Sequence, residues 1–174
     1  MEITAAAVKA LREETGAGVM ECKRALGEAQ GDAARAKAIL RDRGFEAAAQ
    51  KAGREANQGL VEAYIHGGGR IGVLLELNCE TDFVARTPAF KELARELAMQ
   101  VAAMNPRFLA KEDVPGELVE REQLSAEAVA GLALLSQPYI RDQSRTVEQL
   151  IAEAVNRTRE NIRVRRFARF ELGK

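Results

Sequence analysis

At Gly59 the spacing of apolar residues changes from about 3.6 to 2, and this switch decides the class of fold. Upstream, Val8 and Leu11 stand at helical spacing among alanines; downstream, Ile71, Val73, Leu75 and Leu77 put four apolar side chains on one strand face. Helices followed by an alternating hairpin predict an α+β protein. The expected architecture is an N-terminal three-helix bundle, then an α/β core with a three-stranded antiparallel sheet packed by helices. Residues 1–54 are assigned to the bundle and connector, and 55–174 to the core. A chain of 174 residues that is 47% hydrophobic has ample material for it.

Glycines and caps punctuate the first part. Thr15-Gly16-Ala17-Gly18 breaks a helix expected over 4–15, and a second over 19–29 carries Met20, Ala25, Leu26 and Ala29 along or near one stripe. Asp32 suits the N-cap of a third helix through Ile39 and Leu40, expected to stop near Gly44. A bundle this small sits at the lower limit for independent folding, so modest stability is expected of it. Residues 45–57, rich in alanine and basic side chains, read as a helical or extended connector.

The core opens with a hairpin over 59–77: a strand at 60–66, a Gly67-Gly68-Gly69 turn free to take positive φ, and the returning strand. Thr87 as N-cap with Pro88 at the first helical position begins a helix over 88–104. Its stripe of Phe90, Leu93, Leu97, Val101 and Met104 packs on the hairpin. Residues 110–117 read as a loop and 117–135 as two weakly patterned helical stretches. Thr146 and Gln149 have capping-box spacing and open a helix through Leu150, Ile151 and Val155. A final strand over 162–172 supplies the third partner that a two-stranded hairpin needs. Ile162, Val164, Ala168, Phe170 and Leu172 are expected on one face of it, interrupted by Arg166. Tyr139 with Leu135, and this last strand, are candidates for core or interface packing.

Composition removes several function classes. With 26 basic and 26 acidic residues, no net field draws the molecule to nucleic acid or to an anionic membrane, so neither is an expected partner. The first residues lack a signal-peptide pattern and no stretch approaches the roughly 20 apolar residues of a membrane helix, so a cytoplasmic location is the default. Cys22, Cys79 and the single His66 are too few for a four-ligand zinc site, and both thiols are expected reduced; no metal or cofactor is implied. The run from Arg163 to Arg169 alternates arginine with apolar residues, as a solvated strand face does. Thr15-Gly16-Ala17-Gly18 lacks the lysine of a phosphate-binding loop, and the second and third helices show no cluster of base-reading side chains. Cys79 with His66, and Glu80 with Asp82, are weak as nucleophile–base or carboxylate pairs, and acids near a helix start are ordinary. No catalytic residue is expected.

Between strand and capped helix lies Asn78-Cys79-Glu80-Thr81-Asp82-Phe83-Val84-Ala85-Arg86. Its odd member is Phe83, placed where solubility would favour a polar side chain. The residues alone leave it either folded under the turn into the core or exposed as a probe for another protein.

This stretch, with Leu11-Arg12, the run from Thr15 through Leu26, and Ile162-Arg163-Val164-Arg165-Arg166-Phe167, resembles the translation elongation factor Ts family in order across the whole chain. The resemblance implies an N-terminal bundle like ubiquitin-associated domains, an α/β core, and guanine-nucleotide exchange on the GTPase elongation factor Tu without covalent chemistry. In that family the Asp-Phe pair reaches the G domain near its magnesium and phosphate site, with the aromatic in an apolar pocket. The matching residues are Asp82 and Phe83, flanked by Thr81 and Val84. The N-terminal motif contacts another helix of the G domain, which implies Val19, Met20 and Lys23.

The chain departs from the family pattern in three ways. Longer members have a second core copy and a helical hairpin, the segment over 115–137 is abbreviated, and Val19 and Glu21 stand where Met and Asp are common. A single core implies a homodimer that rebuilds the double surface. The other reading is a protein-binding module whose bundle recognises a helix of a different partner and whose core only dimerises.

Overall fold

The structure, a computed structural model, describes residues 3–174. The helical period upstream of Gly59 resolves into α1 (Ala5–Thr15), α2 (Val19–Glu28) and α3 (Ala33–Ala49). Thr4 caps α1 by accepting from the Ala7 N–H, and Asp32 caps α3 by accepting from Ala34 and Arg35. Val8, Leu11, Cys22, Ala25, Leu26, Ala29 and Ala36 make the bundle core; Met20 leaves the expected stripe and faces solvent.

Helix α3 corrects the stop expected near Gly44. It runs on to Ala49 because Gly44 is a crossing point, not a terminus: a Cβ there would lie 2.5 Å from Nδ2 of Asn156 on α8 (Val147–Thr158). Glycine inside a helix costs roughly 1 kcal/mol against alanine, and here it admits a close helix–helix approach. The connector is therefore helical to Ala49 and turns beyond it.

The alternating part forms an antiparallel sheet of β1 (Gln58–His66), β2 (Ile71–Cys79) and β5 (Arg163–Glu171) in the order β1-β2-β5. The hairpin extends past both ends of the expected span, and Gly67, Gly68 and Gly69 all take positive φ at its turn. Val73, Leu75, Leu77 and Cys79 face inward, and α5 (Pro88–Met104) lays Phe90, Leu93, Leu97 and Val101 across them. Leu150, Ile151 and Val155 of α8 complete the layer. Met104, at the end of the α5 stripe, is exposed.

The final strand differs from expectation after Val164. Leu77 pairs with Val164 but Glu76 pairs with Arg166, so Arg165 is an extra residue on β5, a β-bulge. Because side chains alternate with period 2, one inserted residue sends those that follow to the other face. Phe167 packs on the core, while Ala168, Phe170 and Leu172 point outward.

Between α5 and α8 the chain forms α6 (Gly116–Glu122), α7 (Ala126–Leu132) and a small ribbon of β3 (Pro138–Tyr139) and β4 (Asp142–Thr146). Tyr139 is buried within the core and Leu135 packs, partly buried, against that core. Gln100 of α5 is fully buried, yet satisfied: its amide donates to Gln137 and to the Pro138 carbonyl, and its oxygen accepts the Ile140 N–H at 2.9 Å. The bundle is moored to the core by α3 on α8 and by Asn161, whose amide donates to the carbonyls of Ala52 and Arg54.

Candidate functional site

The turn after β2 is a one-turn helix, α4 (Asp82–Arg86), held from both sides. On the strand side Cys79 is buried and its thiol donates to the Thr81 carbonyl at 3.1 Å. Burial, with the Glu160 carboxylate nearby, pushes this thiol up to about 11. Thr81 then caps α4, its hydroxyl accepting from the Val84 N–H at 3.4 Å. On the helix side Thr87 donates to the Val84 carbonyl at 2.8 Å and caps α5 by accepting from Phe90.

This double cap sets which way each side chain points. Ala85 is buried and Val84 packs partly buried against the core. Phe83, one step round the helix, is 84% exposed. Asp82 is engaged by Arg86 at 2.8 Å, an exposed pair that adds little to stability. Of the two readings open to Phe83, the structure selects exposure.

A residue that local patterning missed completes the mount. Glu160, just beyond α8, accepts from the N–H groups of Glu80 and Thr81 at 3.1 and 3.0 Å and from the Thr81 hydroxyl at 2.5 Å. Glu80 answers in the opposite direction, accepting from the Asn161 N–H at 2.6 Å. No periodicity or cap signal announces a partner this far away in sequence.

The second set of expected residues lies at the start of α2. Val19 and Met20 are 53% and 61% exposed, and Lys23 is exposed one turn on from Val19. Glu21 bends back to accept from the Gly18 N–H at 2.9 Å, one arm of a capping box. That bond, helped by Arg159, holds the Glu21 carboxyl below its ordinary range. Asp82, Phe83 and Val84 thus share one short helix capped by Thr81, and Val19, Met20 and Lys23 share another.

The hairpin separates the one nucleophile–base pair the sequence offered. His66 pairs with Ile71 and Cys79 with Gln58, at opposite ends of the ladder, roughly 25 Å apart at about 3.3 Å per residue. His66 instead stacks on Tyr64. Among the described residues no group of His, Cys, Asp or Glu is arranged to hold a metal, and no helix is long and apolar enough to cross a membrane. Cys22 and Cys79 are both fully buried, so iodoacetamide at pH 8 is expected to label neither in the folded protein and both in urea. Rapid native labelling of Cys79 would show that the turn opens.

The family model described as Elongation factor TS matches residues 48–131. An elongation factor Ts of Caldanaerobacter subterraneus is 54% identical, with 98% of this chain and 97% of the relative covered. Those of Carboxydothermus hydrogenoformans and Coprothermobacter proteolyticus are 52% and 49% identical over 98% and 99% of this chain, and over 89% and 100% of their own lengths. The first alignment runs over 194 residues against the 174 of this chain, so that relative carries residues which this chain lacks. With the motifs, the sheet-and-helix core and relatives matched over nearly their full lengths, the chain belongs to the elongation factor Ts family of translation elongation factors.

Proposed function

We propose that the protein is a guanine-nucleotide exchange factor that binds elongation factor Tu with GDP and promotes GDP release by disturbing its magnesium and phosphate site. The observation that carries this reading is Phe83, a large apolar side chain 84% exposed on a doubly capped turn. A phenylalanine held in water on a rigid mount is stabilised on entering an apolar pocket and loses little freedom there. Beside it Asp82 brings a carboxylate that competes for the groups around the metal. Mg²⁺ bridges protein and phosphate oxygens, so shifting the loops that support it removes much of the nucleotide's hold. Val19, Met20 and Lys23 give a second contact, on another helix of the G domain. Factor and nucleotide then weaken each other's binding by the same ratio, as linkage requires, with no covalent step.

The test is release of a fluorescent GDP analogue from elongation factor Tu with and without the protein. Acceleration is expected; binding without acceleration would favour a protein-binding module instead.

The working unit in this proposal is a homodimer joined through the outer face of the sheet. Opposite α5, this face presents Val61, Ile65, Leu74 and Phe170 to solvent, and Glu76 at its end is paired with Arg166 at 2.8 Å and with Arg165 of the bulge at 3.9 Å. A sheet face whose exposed centre is apolar fits a second copy of itself through a two-fold axis. Sedimentation velocity is expected to show a dimer, and Leu74→Glu a monomer. A native monomer, or a Leu74→Glu protein that still pairs, would rule this face out.

A further inference from the structure

Helix α4 has five residues, too few to be stable by itself, because the first turn of a helix costs more than it returns. Its direction therefore depends on what fixes its start. Thr81 must keep its hydroxyl oxygen toward the Val84 N–H, and the hydroxyl proton needs an acceptor on the other side. Glu160 supplies that acceptor with Oε1, at the short distance typical of a hydroxyl donating to a carboxylate. Its Oε2 takes the two backbone N–H groups that lead into the turn. Both oxygens are thus committed to the residues immediately before Asp82 and Phe83.

The position of Glu160 is itself held. Its neighbour Arg159 closes α8 in the left-handed region at φ 65°, where glycine is the usual residue, and its guanidinium reaches Glu21 on α2 at 3.3 Å. Its other neighbour, Asn161, is bonded to Glu80 and to the carbonyls of Ala52 and Arg54. The junction between α8 and β5 is pinned to the turn, the connector and the bundle together.

We propose that Glu160 is a positioning residue for nucleotide exchange, fixing the Thr81 cap and through it the aim of Phe83. The inference rests on the exchange-factor reading. Glu160 touches neither nucleotide nor metal in this scheme; it acts only through the turn. Its removal costs little where Phe83 is already gone. Glutamine can replace it, since the amide oxygen can take both N–H groups while the amide nitrogen donates to the Thr81 oxygen, whose own proton turns to water at this exposed residue.

The experiment is a double-mutant cycle on GDP release with Glu160→Ala and Phe83→Ala, beside amide hydrogen exchange of the free protein. Glu160→Ala is expected to slow release about tenfold, as small misplacements of contact groups do. Glu160→Gln recovers most of the rate. In the Phe83→Ala background the further loss is expected to stay under about twofold. A repeated tenfold loss there, or no loss in the native background, would overturn the proposal. The Thr81 and Val84 amides should exchange faster in Glu160→Ala; unchanged protection would overturn it as well, even with exchange activity intact. If the native protein fails to speed GDP release, the exchange-factor reading falls, and the amide result alone judges the role of Glu160 in the turn. Should Glu160→Ala not fold, Thr81→Val takes its place in the cycle and in the amide measurement, with the same expected and overturning results.

Discussion

Phe83→Ala is expected to slow GDP release from elongation factor Tu between about tenfold and a hundredfold while shifting the melting temperature by no more than about 2 °C. The first figure follows from burying a phenylalanine side chain at an interface, worth about 1.5–3 kcal/mol, with each 1.4 kcal/mol a factor of ten. The second follows from exposure. Phe83 is 84% exposed, so the folded protein loses almost no packing when it is removed, and surface changes of this kind stay within about 0.5 kcal/mol. Rate and stability are thus expected to separate. Asp82→Ala, which removes a carboxylate and its exposed pair with Arg86, should cost less exchange than Phe83→Ala. A Phe83→Ala protein that melts far below the parent would place the ring in the core. One that exchanges GDP at the parent rate would remove it from the site.

Gly59→Ala is expected to be the most damaging single methyl group in the chain, lowering stability by about 2–4 kcal/mol in urea denaturation. Gly59 lies in β1 at φ 143°, a conformation that side chains disfavour. An added Cβ would overlap the Leu77 carbonyl oxygen and stand 2.8 Å from the Asn78 Cα, both backbone atoms of the neighbouring strand. No rotamer relieves such a contact, so the two strands must part. They part next to Cys79, at the root of the turn that carries Phe83, so exchange activity is expected to fall with stability. Gly53→Ala, where nothing lies within 4 Å of the added carbon, is the matched control and should be neutral. A Gly59→Ala protein as stable as that control would show that the hairpin is looser at Asn78 than the ladder indicates.

The features legible in the sequence share one physical property: their causes lie within a few residues. The alternation at Val73, Leu75 and Leu77 is read from neighbours two apart, and it packs inward as expected. The caps at Asp32, Thr87 and Thr146 are bonds spanning two or three residues, and each forms as its spacing implied. The motif residues were visible by their resemblance, since a family pattern needs no fold to be recognised.

Other features have causes on separate elements, and no window along the chain contains both partners. Gly44 resembled a helix stop until Asn156 was brought against it. The apolar residues of β5 resembled one face until the pairing with Glu76 and Leu77 placed a bulge at Arg165. Phe83 was undecided because exposure depends on how Ala85 and Val84 anchor α4, and Glu160 was invisible as the group that holds Thr81. By itself the sequence determined the α+β class, the order of the bundle helices and of the three sheet strands, the caps at Asp32, Thr87 and Thr146, and the family. Only the tertiary structure decided that Phe83 faces solvent and that Glu160 bonds to the residues before it, because direction is set by bonds between residues that are neighbours only in the folded chain.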